Sequence, residues 1–231
     1  MVQIRQEALS VSDSKTHRKR LEILSAASRA FRRQGLHATG MRDIAAESSM
    51  HVGNLYYYFR NKQELLAFCQ RHTLAGLMEM ADRISMQSCQ ADEKLYRLIV
   101  GHIVRLNDEM PGSLAHLEVE ALDEPLRQDI QQARDRYEEA MRRIIDAGID
   151  TGLFRQVDTG VVVKAILGAV NWTVKWYQPG GSSSSEAIGG EFAQVLVGGL
   201  LEAGRELSFA TQAVATRSTG EPQFGVQDHA E

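Results

Sequence analysis

The stretch from Gly35 to Leu66, GLHATGMRDIAAESSMHVGNLYYYFRNKQELL, constrains the fold more than any other part of the 231-residue chain. Thr39 and Gly40 stand where a helix starts, and Asp43 falls in its first turn, where the helix dipole favours an acid. Met41, Ile44 and Ala45 recur at i, i+3 and i+4, the mark of a short helix with one apolar face. Ser48-Ser49-Met50-His51 reads as a polar turn, and a second helix runs from Val52 to about Phe59. On it, Leu55 and Phe59 are four apart and face a core, while Asn54, Tyr56, Tyr57 and Tyr58 lie on and around the outer side. Two short helices across a tight turn, the second rich in hydrogen-bonding aromatics, have the shape that enters a DNA major groove.

Charge supports that reading. The net charge of −4 hides a split: residues 1–62 hold 11 Lys and Arg against 5 Asp and Glu, and the remaining 169 hold 15 against 25. A basic head on an acidic body points to a polyanion partner at one end only. Cys69 and Cys89 form no C-x-x-C pair and have no partner clusters, which argues against a disulfide scaffold or zinc site and points to a reducing cytoplasm. There is no N-terminal apolar leader and no run near ~18 apolar residues, so no membrane partner is expected.

Helical periodicity fills the rest, without strand-like alternation or internal repeats, and the predicted fold class is all-α. Residues 1–13 read as a flexible arm and 14–61 as a three-helix DNA-binding domain. Residues 62–209 read as a larger ligand-binding and dimerisation domain, and 210–231 as a disordered tail. The first helix runs from about Ser14 to Gln34, with Leu21, Leu24, Ala27 and Phe31 inside and Arg18, Lys19, Arg20, Arg29, Arg32 and Arg33 outside, and Gly35 ends it. Asn61, with Glu64 three residues on, opens a helix to about Met86 as a capping box. Further helices span Asp92 to about Met110, Ser113 to Leu122, Pro125 to Gly152, Asp158 to Tyr177 and Ser184 to Phe209.

The pattern Thr39-x-x-x-Asp43-Ile44-Ala45, then Gly53-x-Leu55-Tyr56-x-x-Phe59-x-x-Lys62-x-x-Leu65, resembles the N-terminal domain of the TetR family of bacterial transcriptional repressors. The resemblance covers roughly residues 17 to 66. Family members often have Ser or Thr where this chain has Gly40, and His where it has Tyr58. The resemblance implies that Lys62 contacts the phosphate backbone and that the last two helices of each subunit form a four-helix bundle between subunits. It also implies that Gly148 and Gly152 make the usual turn into the next helix.

The residues expected to face DNA are Thr39, Gly40, Arg42, His51, Val52, Asn54, Tyr56, Tyr57, Tyr58 and Lys62, with Lys15, Arg18 and Lys19 as further phosphate neighbours. Arg suits guanine and Asn suits adenine, so Arg42, Asn54 and His51 are the candidates for base edges. A turn-capping role for His51 is equally open. Three consecutive tyrosines cannot all point inward at ~100° per residue. Gly53 permits close approach of a neighbouring element or of the DNA backbone. One reader of this size cannot select a site in a genome, so a homodimer is required, with readers ~34–36 Å or a multiple apart on a pseudo-palindromic double-stranded operator. Val163, Leu167, Val170, Phe192, Val195, Leu196, Gly199 and Leu200 are the expected dimerisation residues, because the last two apolar stripes exceed what a thin terminal layer buries.

The body carries no catalytic signature and calls for no cofactor or metal. There is no G-x-S-x-G and no phosphate loop, and His116-x-Glu118 lacks the P-C-x-x-C partner of a zinc deaminase. Sensing of a small molecule is therefore expected, in an apolar pocket lined by Met78, Leu106, Met110, Leu117 and Tyr137. His102 reads as an ordinary helix residue. Asn171-Trp172-Thr173-Val174-Lys175-Trp176-Tyr177-Gln178-Pro179-Gly180-Gly181 resembles the end of the penultimate helix in TetR-like regulators of catabolism that respond to acyl-CoA thioesters. That likeness adds Trp172 and Trp176 to the ligand candidates, against a purely structural role for the pair. The expected function is a repressor released by a small-molecule inducer such as an acyl-CoA. The alternative within the family is an efflux-pump repressor responding to lipophilic drugs.

Overall fold

The computed structural model describes residues 2–109 and 119–209. Among them are eight α-helices and no strand: α1 Val2–Gln34, α2 Met41–Glu47, α3 Val52–Tyr58, α4 Lys62–Ser85, α5 Ala91–Val104, α6 Leu126–Asp150, α7 Thr159–Trp176 and α8 Ser185–Gly198. A π-helical turn, Arg105–Glu109, extends α5, and a 3-10 turn, Val119–Ala121, precedes α6. The expected helix over 113–122 and the 210–231 tail lie wholly or largely outside the described residues. No described helix is long and apolar enough to cross a membrane.

Helix ends follow the side-chain chemistry. Asn61 Oδ1 accepts from the Glu64 amide at 2.8 Å, while Glu64 Oε2 reaches back to the Arg60 amide rather than to that of Asn61. Asp158 and Ser184 cap α7 and α8 by accepting from the amides three residues on. Two boundaries differ from expectation. α1 begins at Val2, not Ser14, because residues 2–13 contain neither Pro nor Gly to break it. α8 stops at Gly198, not Phe209, where two successive glycines weaken the helix. Beyond it the chain folds back: Leu201 bridges Phe154, and Ser208 donates its amide (2.6 Å) and hydroxyl (2.9 Å) to the buried Asp92 carboxylate. At the α6–α7 turn, a Cβ on Gly148 would stand 2.1 Å from the Phe154 ring, so that close approach requires glycine.

Two apolar cores share one helix. Ile23, Leu24, Phe31, Ile44, Leu55 and Phe59 close around the first half of α4, at Leu65, Leu66, Cys69 and Leu74, and Val119, Leu122 and Ile130 join them from the body. The second half of α4, at Leu77, Met80, Ala81 and Ile84, belongs to a core built with α5, α6, α7 and α8. α8 lies close along α5, where Gly189 comes up to the Val100 backbone.

A line of polar contacts, buried at its centre, ties α5 and its π-turn to α6, α7 and α8. His102, predicted as an ordinary helix residue, is 1% exposed, with Nδ1 3.0 Å from the Tyr137 hydroxyl and Nε2 2.9 Å from Asn171 Oδ1. Asn107 Nδ2 donates to Thr173 Oγ1 at 2.9 Å, and the Tyr177 hydroxyl donates to Asp108 Oδ1 at 2.9 Å. Ser185, in the first turn of α8, donates to the other Asp108 oxygen. Burial takes the His102 pKa down to about 4, the Asn171 bond opposing it weakly, so the ring is neutral in the folded chain.

The unfolded state therefore takes up this proton before the folded state does, and the stability held above pH 6.5 is lost as pH falls toward 4. At 1.36 kcal/mol per pKa unit the full effect is about 3 kcal/mol. Urea unfolding across this window is expected to show that fall for the wild type and a markedly flatter dependence for His102→Gln.

Candidate functional site

The first site is the reader. Gly40 starts α2 with extended backbone, its amide donating to Asp43 Oδ2 at 2.7 Å. Ser49 takes a positive φ of 53° in the turn, and α3 follows at once from His51. α3 buries Leu55 at 0% exposure and leaves Gly53, Asn54, Tyr56 and Tyr57 facing solvent, with Tyr57 80% exposed. Arg42, His51 and Val52 are exposed as well. The His51 side chain makes no capping bond, although the residue occupies the cap position. A Cβ on Gly53 would meet nothing within 4 Å, so no neighbour within the chain requires glycine there.

Three expected members of this surface differ. Thr39 is 1% exposed and donates its hydroxyl to the Gly35 carbonyl at 2.7 Å, because the extended backbone before α2 turns the side chain under α1; it pins the loop and does not face DNA. Tyr58 is half-buried, its ring edge-on to Tyr57 at 5.1 Å. Lys62 donates to the Leu36 carbonyl at 2.6 Å, and partial burial lowers its pKa.

Arg20 was expected to face outward, and its role is missed by helical periodicity. Its guanidinium donates to the Tyr58 carbonyl at 2.8 Å and to Glu64 Oε1 at 3.0 Å, and lies 4.9 Å over the Phe59 ring. It thus holds the end of α3 to the start of α4. Glu47 accepts from Arg29 and Arg33, which lower its pKa and tie α2 to α1. Three further contacts join reader and body: Arg32 Nη2 donates to the Asn107 carbonyl of the π-turn at 3.3 Å, and Gln63 bonds the Ala121 carbonyl and the Asp123 amide.

The second site is the outer face of α7 and α8. Val161 (63%), Trp172 (60%), Trp176 (46%) and Val195 (73%) are exposed, an apolar patch of the kind that marks an interaction surface. Gly198 and Gly199 are exposed beside it. Trp172 and Trp176 therefore do not line a pocket inside the chain. Of the expected dimerisation residues, Val195 and Gly199 face out and Phe192, Leu196 and Leu167 are half-buried. Val163, Val170 and Leu200 are buried in the chain's own core, because α7 packs its 163, 166 and 170 side on α5 and α6.

The third site is a half-open cavity of about 160 Å³ where α4, α5, α6 and α7 meet, lined by Leu74, His102, Arg134, Tyr137, Glu138, Lys164, Leu167 and Asn171. Tyr137 is in its wall. Met78 lines a separate groove between α4 and α6, Leu106 is fully buried in the core, and Met110 and Leu117 lie outside the described residues. A larger open cleft of about 530 Å³ lies where the end of α4 meets α5 and α6, walled by Ala81, Ala91, Ala140 and Ala147. It touches none of the polar contacts that join α5 to α7.

The sequence pattern described as bacterial regulatory proteins, tetR family, matches residues 23–68, and that described as tetracyclin repressor-like, C-terminal domain, matches residues 88–200. The chain is 27% identical over 187 residues to the HTH-type transcriptional repressor KstR2 of Mycolicibacterium smegmatis, spanning 80% of this chain and 91% of that protein. The structure of the ketosteroid transcriptional regulator KstR2 of Mycobacterium tuberculosis superposes with a TM-score of 0.72 at 25% identity, covering 80% of this chain and 95% of that one. AibR in complex with isovaleryl coenzyme A and operator DNA superposes with a TM-score of 0.67 at 25% identity, covering 78% and 96%. Reader and body thus match the two halves of one family in the order and fold that family has, and the chain belongs to the TetR family of bacterial regulatory proteins.

Proposed function

We propose that the chain is a homodimeric repressor that occupies a pseudo-palindromic operator and leaves it when an acyl-CoA thioester fills the body of each subunit. The observation that carries this reading is the reader's outer face. Gly53, Asn54, Tyr56 and Tyr57 project from a seven-residue helix held rigidly by Arg20, beside Arg42 and His51. Asn54 and Arg42 suit base edges, and the tyrosine hydroxyls suit phosphates.

Dimerisation through α7 and α8 accounts for Trp172, Trp176 and Val195, which otherwise leave large apolar side chains in water. Joining two copies there fixes the spacing of their readers, and an effector that prefers a differently spaced conformer releases DNA in proportion to that preference. The thioester class rests on likeness: the Asn171-to-Gly181 element, and the isovaleryl coenzyme A carried by AibR. The drug-responsive alternative calls for a pocket rich in acids, whereas Glu138 is the one acidic side chain among the described residues lining the cavity, and Arg134 and Lys164 flank it.

Three outcomes follow. Fluorescence anisotropy on the chain's own upstream DNA is expected to show release by a thioester and not by its free acid; release by neither at saturating concentration refutes the effector class. Asn54→Ala is expected to cost about 1–3 kcal/mol on the operator and to alter base preference, while Gly53→Ala weakens binding without lowering the melting temperature. Unaltered operator binding in both variants would remove α3 as the reading helix. Trp172→Glu, which touches no buried contact of the single chain, is expected to sediment as a folded monomer and to lose operator binding, whereas a dimer of wild-type affinity would place the interface elsewhere.

A further inference from the structure

We propose that Arg60, in the turn between α3 and α4, grips a DNA phosphate, and that Lys62, to which the family resemblance assigns that contact, instead positions the turn that leads into α2. The inference deepens the operator-binding reading above and rests on it.

Elimination is the first argument. DNA phosphates are neutralised by Lys and Arg, and a cation that must first leave a partner inside the protein does so at a loss. Lys19 pairs with Glu22, Arg20 with Glu64, and both Arg29 and Arg33 with Glu47, while Arg32 donates to the Asn107 carbonyl. Lys62 donates to the Leu36 carbonyl at 2.6 Å. Arg60 is exposed, and its guanidinium bonds no acceptor among the described residues.

The backbone is the second. Phe59 is fully buried with extended dihedrals, φ −138° and ψ 115°. Side chains alternate along extended backbone, so Arg60, the next residue, points out of the domain. Its amide donates to Glu64 Oε2 at 2.8 Å, and the other oxygen of that carboxylate accepts from Arg20, which also holds the Tyr58 carbonyl. Arg60 thus carries a free guanidinium on a fixed main chain, just beyond the exposed Tyr57. Only the side chain is left to be ordered on contact, and its planar fork matches a phosphate.

Lys62 is engaged inward. Gly35 ends α1 with a φ of 85°, and the carbonyls at that end need donors from outside the helix. Thr39 supplies one to Gly35 and Lys62 supplies one to Leu36. Burial lowers the Lys62 pKa, the mark of an ammonium partly withdrawn from water. Drawing it out to a phosphate leaves the Leu36 carbonyl without that donor and frees the turn ahead of Gly40 and Arg42.

The test is fluorescence anisotropy of the full-length chain on its own upstream DNA and on a scrambled duplex of equal length, from about 50 to about 200 mM salt. Arg60→Gln is expected to weaken both duplexes alike and to flatten the slope of log K against log salt by about 1.8 for the dimer, about 0.9 from each subunit. Arg60→Lys, which keeps the charge, is expected to restore the slope. Lys62→Met is expected to keep the wild-type slope and to cut the preference for the upstream DNA by about tenfold, the worth of one base contact, because the turn into α2 is no longer held. A wild-type slope in Arg60→Gln, or a slope flattened by Lys62→Met, overturns the assignment while leaving operator binding intact. Equal affinity of the wild type for the two duplexes instead discards the operator-binding reading itself.

Discussion

Everything else in this fold depends on α4 being one uninterrupted helix that serves two cores. Its 24 residues span about 36 Å. Leu65, Leu66, Cys69 and Leu74 complete the reader, and Leu77, Met80 and Ile84 complete the body. Neither half of the helix could shift without carrying apolar side chains out of a close-packed environment, so a displacement in one core is felt in the other. Its first turn is also where the reader is clamped, since Asn61, Glu64 and Arg20 bond there within a few ångströms of α3.

A second route joins the halves through polar groups. The π-turn at the end of α5 places the Asn107 carbonyl against Arg32 of α1 and its side chain against Thr173 of α7, while Asp108 takes Tyr177 and Ser185. One extra residue per turn is an uncommon register, and such bulges concentrate at functional positions. Here it lets successive residues face α1, α7 and α8 at once. Linkage makes any coupling through these contacts reciprocal: a ligand that weakens the binding of a second partner through them is itself weakened by that partner by the same factor.

Local chemistry was legible in the sequence wherever it acts over three or four residues. The α2–turn–α3 spacing, the caps at Asn61, Asp158 and Ser184, and the stop at Gly35 all stand where pattern places them. What was hidden depends on partners far along the chain. Arg20 is one of six basic residues on α1, and only the arrival of Phe59 and Glu64 distinguishes it. His102 finds its partners 35 and 69 positions away. α7 is apolar on both sides, so a 3.6-residue period cannot say which stripe meets the chain's own core; Val163 and Val170 are buried in it, while Trp172 and Trp176 are exposed. Thr39 was misplaced for the opposite reason, since a cap-like residue beside a reader reads as exposed until the loop is seen to turn it inward.

The chain has two tryptophans, and both stand on the outer face of α7, one helical turn apart. None of the residues lining the cavity between α5, α6 and α7 is an indole. If two copies meet at the α7 face as proposed, intrinsic emission reports that assembly by a blue shift as the indoles leave water, and a ligand in the cavity leaves it nearly unchanged.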